Sequence, residues 1–181
     1  MRSNRLVILD RDGVINEDSP QSIRTLAQWR PLPGSIEAIA RLSVAGWTVG
    51  IATNQSGIGR RYLTQSTLDD IHAALHSAVG SLGGSIAIIA FCPHLPEDGC
   101  VCRKPATGLI TQIEVATGCD AIGAPFIGDS IRDVQAAVSH GCVPVLVRTG
   151  NGRSDEADAR RLGTRRVFDD LAKATDWLLD P

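Results

Sequence analysis

The apolar residues of this chain fall into short runs separated by longer segments in which they recur every three or four positions. Runs rich in branched residues at 6–9, 47–52, 86–91, 125–127 and 143–147 have the length and composition of buried strands. Between them, Ile36, Ile39, Ala40 and Leu42 run up to Gly46, and Leu68, Ile71, Leu75 and Val79 follow Thr64, so each series has helical spacing and a start or stop signal. The same spacing predicts helices over 109–117 before Gly118, over 131–139 before Gly141, and over 171–179. Residues 149–163, with Gly150, Gly152 and several charges, are expected to form a surface loop leading into a polar helical segment. Strand and helix alternate, which predicts an α/β fold: a Rossmann-like, mostly parallel sheet with helices on both faces.

Length then limits the number of such units. With 181 residues, 43% of them hydrophobic, and no repeat or linker, a single domain over 1–181 is expected. The net charge of -2 offers no general attraction to nucleic acid or an anionic membrane, and neither is expected as a partner. The first apolar run is too short for a signal peptide or a membrane span, so a soluble, cytoplasmic protein is expected, and a monomer.

In an open parallel sheet, ligands sit beyond the carboxyl ends of the strands. Three runs deliver polar residues there: Asp10, Thr53 and Asp129. Asp10-Arg11-Asp12-Gly13 places two carboxylates two residues apart, and with Asp129 the set suits Mg²⁺; the alternative is that each Asp caps a turn or a helix. Thr53-Asn54-Gln55-Ser56-Gly57 supplies hydroxyl, amide and backbone donors for a phosphate. Arg103-Lys104 adds two cations that fit phosphoryl oxygens, although such a pair by itself is more often a solvated surface. Neither a P-loop nor a Gly-x-Gly-x-x-Gly turn is present, which argues against nucleotide-driven chemistry.

Cysteine usage adds a second kind of chemistry. Cys92, His94, Cys100 and Cys102 crowd into the loop 92–102, a set and spacing that suit tetrahedral Zn²⁺. Four protein ligands leave no open position for water, so the zinc is expected to be structural. Cys119 and Cys142 lie in apolar surroundings and are expected to be inert. His72, His76 and His140 fall on predicted helices and are expected to be packing or surface residues.

The segments 10–16, 53–57, 103–105 and 128–133 resemble, in order and spacing, the four motifs of the haloacid dehalogenase superfamily of phosphatases. Within it the chain is similar to the small zinc-loop enzymes, which include heptose bisphosphate and histidinol phosphatases. The resemblance implies a haloacid dehalogenase fold with a minimal cap, Asp10 as nucleophile and Asp12 as acid and base. It also implies Mg²⁺ held by Asp10, the backbone carbonyl of Asp12, and Asp129. Thr53 and Lys104 would spread over the phosphoryl oxygens and Arg103 would reach the substrate as well. Arg11, Asn54, Gln55, Ser56 and Ser130 complete the implied pocket. The family's sugar-binding segment falls on Asp18, Ser19 and Gln21, where this sequence lacks the expected aromatic and glycine residues. Asp133 is implied to support the metal shell or Lys104, with a plain helix-surface acid as the alternative.

The implied reaction is removal of the C7 phosphate from heptose 1,7-bisphosphate, in the making of nucleotide-activated heptose. Histidinol phosphate or another small sugar phosphate is the alternative substrate. The compact zinc-loop spacing resembles the histidinol enzymes, whereas residues 14–16 and 54–56 look more like the heptose enzymes.

Overall fold

The computed structural model describes residues 5–180 and contains one six-stranded sheet in which all neighbouring strands are parallel. Its strands are β1 (Leu6–Leu9), β2 (Thr48–Asn54), β3 (Ile88–Cys92), β4 (Pro125–Gly128), β5 (Val143–Val147) and β6 (Arg166–Phe168), in the order β3-β2-β1-β4-β5-β6. The helices are α1 (Ser35–Val44), α2 (Ser56–Gly59), α3 (Gln65–Ser81), α4 (Gly108–Thr117), α5 (Ile131–His140), α6 (Gly152–Arg161) and α7 (Leu171–Leu179).

Alternation along the central strand decides which face each side chain enters. Val7 and Leu9 join Ile39, Leu42, Ile71, Leu75 and Ala174 in one core, built against α1, α3 and α7. Leu6 and Ile8 join Leu109, Ile113, Phe126 and Ala137 in the other, against α4 and α5. All four residues of β1 are fully buried, and each such side chain contributes roughly 1.5–3 kcal/mol of transfer free energy. A strand buried on both faces needs a continuous apolar run, which is why 6–9 shows no polar alternation. Gly118 and Gly141, at φ 67° and 91°, end α4 and α5 in the left-handed conformation that a side chain would strain.

Several boundaries differ from the sequence expectation. β2 begins at Thr48 and runs through Thr53 and Asn54, so these two residues end the strand instead of following it. Their pairing with Phe91 and Cys92 of β3 holds them in extended conformation. α2 and β6 are not apparent in the sequence, because four and three residues are too few to show a period. The region 149–163 does contain a polar helix, but α6 already begins at Gly152, inside the expected loop. Between β1 and α1 the chain makes only a short 3₁₀ turn, Leu26–Gln28. No helix among the described residues is long and apolar enough to cross a membrane.

Candidate active site and metal centres

β1 and β4 are neighbours from which the sheet is wound in opposite directions, and such a switch point opens a crevice at the carboxyl ends of the strands. Asp10 stands there, its N–H bonded to the carbonyl of Ile127 at 2.9 Å. Its Oδ1 accepts from the Arg11 backbone N–H at 2.6 Å and lies 2.9 Å from Nζ of Lys104. Lys104 enters from the other side of the cleft. Its buried ammonium also reaches Oδ1 of Asp133 at 2.6 Å and donates to the carbonyl of Ala52 at 2.7 Å.

Asp129 follows β4 and accepts from Asn151 twice, through the backbone N–H at 2.8 Å and Nδ2 at 3.1 Å. Two glycines allow this approach. A Cβ on Gly13 or Gly150 would lie 2.3 or 2.1 Å from Oδ2 of Asp129, and both residues have positive φ, 82° and 54°. Asp133 turns back to close the start of α5, accepting at Oδ2 from the Ser130 N–H at 3.0 Å and the Ser130 hydroxyl at 2.8 Å.

Oxygens of Asp10, Asp129 and Asp133 lie within 4.8 Å of one another. Burial, followed by the charge of Asp133, holds Asp10 well above the usual carboxylate range and pushes Asp129 up to about 7. Burial alone would lower Lys104, but Asp10 and Asp133 outweigh it and raise the ammonium. Three carboxylates facing one ammonium in a desolvated pocket leave an excess of negative charge. Oxygen donors with that excess suit a hard divalent cation such as Mg²⁺, and the residues present fit it.

Asp12 lives in a different electrostatic setting. Its Oδ1 accepts from Arg11 Nε at 3.0 Å, Arg11 Nη2 at 2.9 Å and Asn16 Nδ2 at 2.9 Å. Its Oδ2 accepts from Gln55 Nε2 at 2.8 Å. Burial favours the neutral acid, but Arg11, Asn16 and Gln55 together hold the carboxyl below its ordinary value.

Asp10, Asp12, Asp18, Thr53, Asn54, Lys104, Asp129 and Ser130 line one cleft with Arg132, Asp133 and Asn151. The wall of this cleft and the site residues expected from the sequence coincide only in part. The Arg11 side chain is fully buried and faces Asp12 and His72, away from the cleft, so it presents only its backbone N–H. Gln55 is buried and donates to Thr53 Oγ1 at 2.9 Å, while Ser56 starts α2; neither lines the cleft. Ser19 and Gln21 are likewise absent from its wall. Arg103 lines an adjoining pocket with Arg132 and Lys104, and its guanidinium reaches the carbonyl of His94 at 3.4 Å. Asp133 is 1% exposed, which overturns the surface-acid alternative.

Asn151 and Arg132 were missed in the sequence. The signal for Asn151 is its glycine neighbours, since a Cβ on Gly152 would lie 1.8 Å from the carbonyl of Val147. A loop with glycine on both sides is pressed against something.

The second cluster joins Cys92, the last residue of β3, to His94, Cys100 and Cys102 in the loop that follows. Sγ of Cys92 lies 3.6 and 3.2 Å from those of Cys100 and Cys102, and His94 Nδ1 lies 3.5 and 3.2 Å from Cys92 and Cys102. Sulfurs at the ordinary bond length around one tetrahedral zinc are about 3.7 Å apart, so the four donors fit Zn²⁺ with little adjustment. All five cysteines are free of disulfides.

Comparison with known proteins is consistent with this geometry. A family model described as HAD-hydrolase-like matches residues 101–174. The chain is 52% identical over 177 residues to the D-glycero-beta-D-manno-heptose-1,7-bisphosphate 7-phosphatase of Pseudomonas aeruginosa, covering 98% of this chain and 99% of the relative. The enzyme of that name from Bordetella bronchiseptica is 47% identical over 97% of this chain and 98% of its own. A crystal structure of D,D-heptose 1,7-bisphosphate phosphatase from B. bronchiseptica, complexed with magnesium and phosphate, superposes with a TM-score of 0.92 at 47% identity, over 97% of this chain and 98% of that one. With half its residues shared along nearly its whole length, this chain belongs to the heptose-1,7-bisphosphate 7-phosphatase family of haloacid dehalogenase-like hydrolases.

Proposed function

We propose that the chain hydrolyses the 7-phosphate of D-glycero-β-D-manno-heptose 1,7-bisphosphate through a phospho-aspartate on Asp10. The observation that carries this reading is the setting of Asp10: buried at the tip of the central strand, 2.9 Å from Lys104, with two more carboxylates close by. The relatives at 47–52% identity support the heptose substrate. Histidinol phosphate, favoured only by zinc-loop spacing, becomes the competitor to test.

Asp10, Asp129 and the backbone carbonyl of Asp12 would hold Mg²⁺, which when bound neutralises charge on the carboxylates and the phosphoryl group. A carboxylate oxygen of Asp10 attacks phosphorus, and the bond from phosphorus to the sugar C7 oxygen breaks. Asp12 gives its proton to that departing oxygen. Against burial, Arg11 holds the resting Asp12 below its ordinary value, so the proton it gives is taken up from solvent when the dianionic phosphoryl group arrives beside it and raises its proton affinity. Water then attacks the phosphorus of phospho-Asp10, its proton passing to Asp12, and the bond from phosphorus to the Asp10 oxygen breaks to release inorganic phosphate. Two displacements, each assisted by one carboxylate, replace one difficult hydrolysis.

Thr53 and Lys104 bind the phosphoryl oxygens, and Asp133 holds Lys104 in place. Position counts more than reactivity in such transfers. Arg103 receives the remainder of the substrate from the adjoining pocket. Cys92, His94, Cys100 and Cys102 would hold Zn²⁺, which fixes the loop ending one residue before Arg103. The product keeps its anomeric phosphate, the group a nucleotidyl transfer requires.

The test is phosphate release from both anomers of heptose 1,7-bisphosphate, from histidinol phosphate and from fructose 1,6-bisphosphate. The β-anomer should have the highest kcat/KM. A large preference for histidinol phosphate would overturn the assignment.

A further inference from the structure

His72 lies on α3, is 9% exposed, and has no place in the chemistry described above. Its Nε2 sits 3.2 Å from Nη1 of Arg11. A guanidinium has only N–H donors, so the imidazole must accept, with its own proton on Nδ1. Burial and then the Arg11 charge bring His72 down to about 4, consistent with a neutral acceptor throughout the physiological range. The same guanidinium turns its Nε and Nη2 onto Asp12. Arg11 is thus gripped at one end by His72 and grips Asp12 with the other. Phe91 of β3 closes on the imidazole, with ring centroids 6.0 Å apart.

We propose that His72 is a positioning residue for the reaction, fixing Arg11 so that Arg11 fixes the Asp12 carboxyl for both proton transfers. The inference rests on the reading of Asp12 as acid and base. Asp12 also has Asn16 and Gln55, but each of these uses a single amide N–H, whereas Arg11 reaches both oxygens and sets the plane of the group. Without its acceptor, the Nη1 end of a fully buried guanidinium loses its partner and must turn to find another. Asp12 turns with it. Displacing an acid–base group that contributes about a hundredfold to ten-thousandfold need not abolish activity, but it should cost about tenfold or more in kcat.

Leaving-group dependence separates positioning from mere support. The sugar alkoxide needs a proton to depart, while 4-nitrophenolate does not. With 4-nitrophenyl phosphate, a displaced Asp12 leaves attack by Asp10 nearly intact but slows hydrolysis of phospho-Asp10. In rapid-mixing experiments His72→Leu should therefore show a burst of nitrophenolate approaching one equivalent per active site, with the phospho-enzyme visible by intact mass. Its kcat for the bisphosphate should fall about tenfold or more, with KM within about twofold. His72→Gln, whose amide oxygen can replace Nε2 as acceptor, should recover most of the loss and suppress the burst.

Unchanged kinetics in His72→Leu, an equal fall for both substrates without a burst, or no recovery in His72→Gln would each remove His72 from the mechanism. If His72→Leu does not fold, His72→Phe, which also removes the acceptor, takes its place, and a parent-like rate with no burst in that variant would overturn the proposal. Asp12→Asn serves as the control. If it hydrolyses both substrates normally, the Asp12 reading itself fails; if it is slow while His72→Leu is normal, only the inference about His72 fails.

Discussion

The two ligand clusters of this molecule are made in opposite ways. The Cys92, His94, Cys100 and Cys102 cluster comes from one loop, 92–102, with its donors 3.2–3.6 Å apart. Asp10 follows β1 whereas Asp129 and Asp133 follow β4, and the two groups meet only because β1 and β4 are neighbours. Donors close in sequence are readily brought together, and a set of three thiols and an imidazole suits a metal that fixes structure. Buried carboxylates repel one another, so the fold must hold them together, and they gain a reactive setting in return. On the proposed function, the local cluster would brace the site and the distributed one would do its chemistry.

The comparison is broken most directly at Asp10. Asp10→Asn keeps the shape of the side chain but not its nucleophilicity, so phosphate release should fall on the order of a thousandfold or more. The metal-free protein should keep its melting temperature within a few degrees, because one of three crowded charges is gone. Residual activity near that of the parent would remove Asp10 as nucleophile.

Next comes Asp133, which serves both the fold and the cleft. Asp133→Ala removes a buried partner of Lys104 and the carboxylate that accepts from Ser130. The variant should lose about 1 kcal/mol from the cap alone and about a hundredfold in kcat/KM as Lys104 swings toward Asp10. Urea unfolding and steady-state kinetics measure the two losses. A variant that loses stability but keeps its rate would reduce Asp133 to a helix cap.

The loop cluster should matter less. Cys100→Ser with Cys102→Ser, or removal of zinc, should lower kcat/KM for the bisphosphate about tenfold and affect an aryl phosphate less, because Arg103 follows Cys102 directly. The parent should contain about one zinc per chain by metal analysis. Serine variants as active as the parent would show that the loop does not brace Arg103.

The mildest test is pH. Asp129 is raised from 3.8 to about 7, so the folded, metal-free protein binds its proton more tightly than the unfolded chain. Stability from this group is present at low pH and is lost as pH rises from about 4 to about 7. His72, lowered from 6.5 to about 4, acts in the opposite sense, its contribution being lost as pH falls through that window. Comparing melting temperatures of the parent with those of Asp129→Asn isolates the first effect, which Mg²⁺ should cancel. Apparent Mg²⁺ affinity should also fall below about pH 7 as protons compete for Asp129. A flat difference between parent and variant from pH 5 to 8 would contradict the raised carboxyl.

Legibility followed the same division. Spacing alone marked the four soft donors, because a chelating loop is local. Apolar runs marked β1 to β5, and a polar residue after such a run marked Asp10 and Asp129, because a strand buried on both faces has to end where water begins. β6 and α2 left no trace, being shorter than a readable period. The glycines flanking Asn151 signal only that its loop is closely packed, and do not name the partner, Asp129, twenty-two residues earlier.

By itself, then, the sequence determined the alternation of strand and helix, the soft donor set, and which acids stand at strand ends, all properties written within a few residues of one another. Tertiary structure alone decided the burial of Asp133, the Lys104 bridge between two carboxylates, the closure of Asn151 on Asp129, and the turning of Arg11 inward to His72. The physical reason is that periodicity and spacing report on neighbours along the chain. A charged side chain's partner and orientation are instead set by desolvation and by whatever the parallel sheet brings alongside, here from 123 residues away between Asp133 and Asp10.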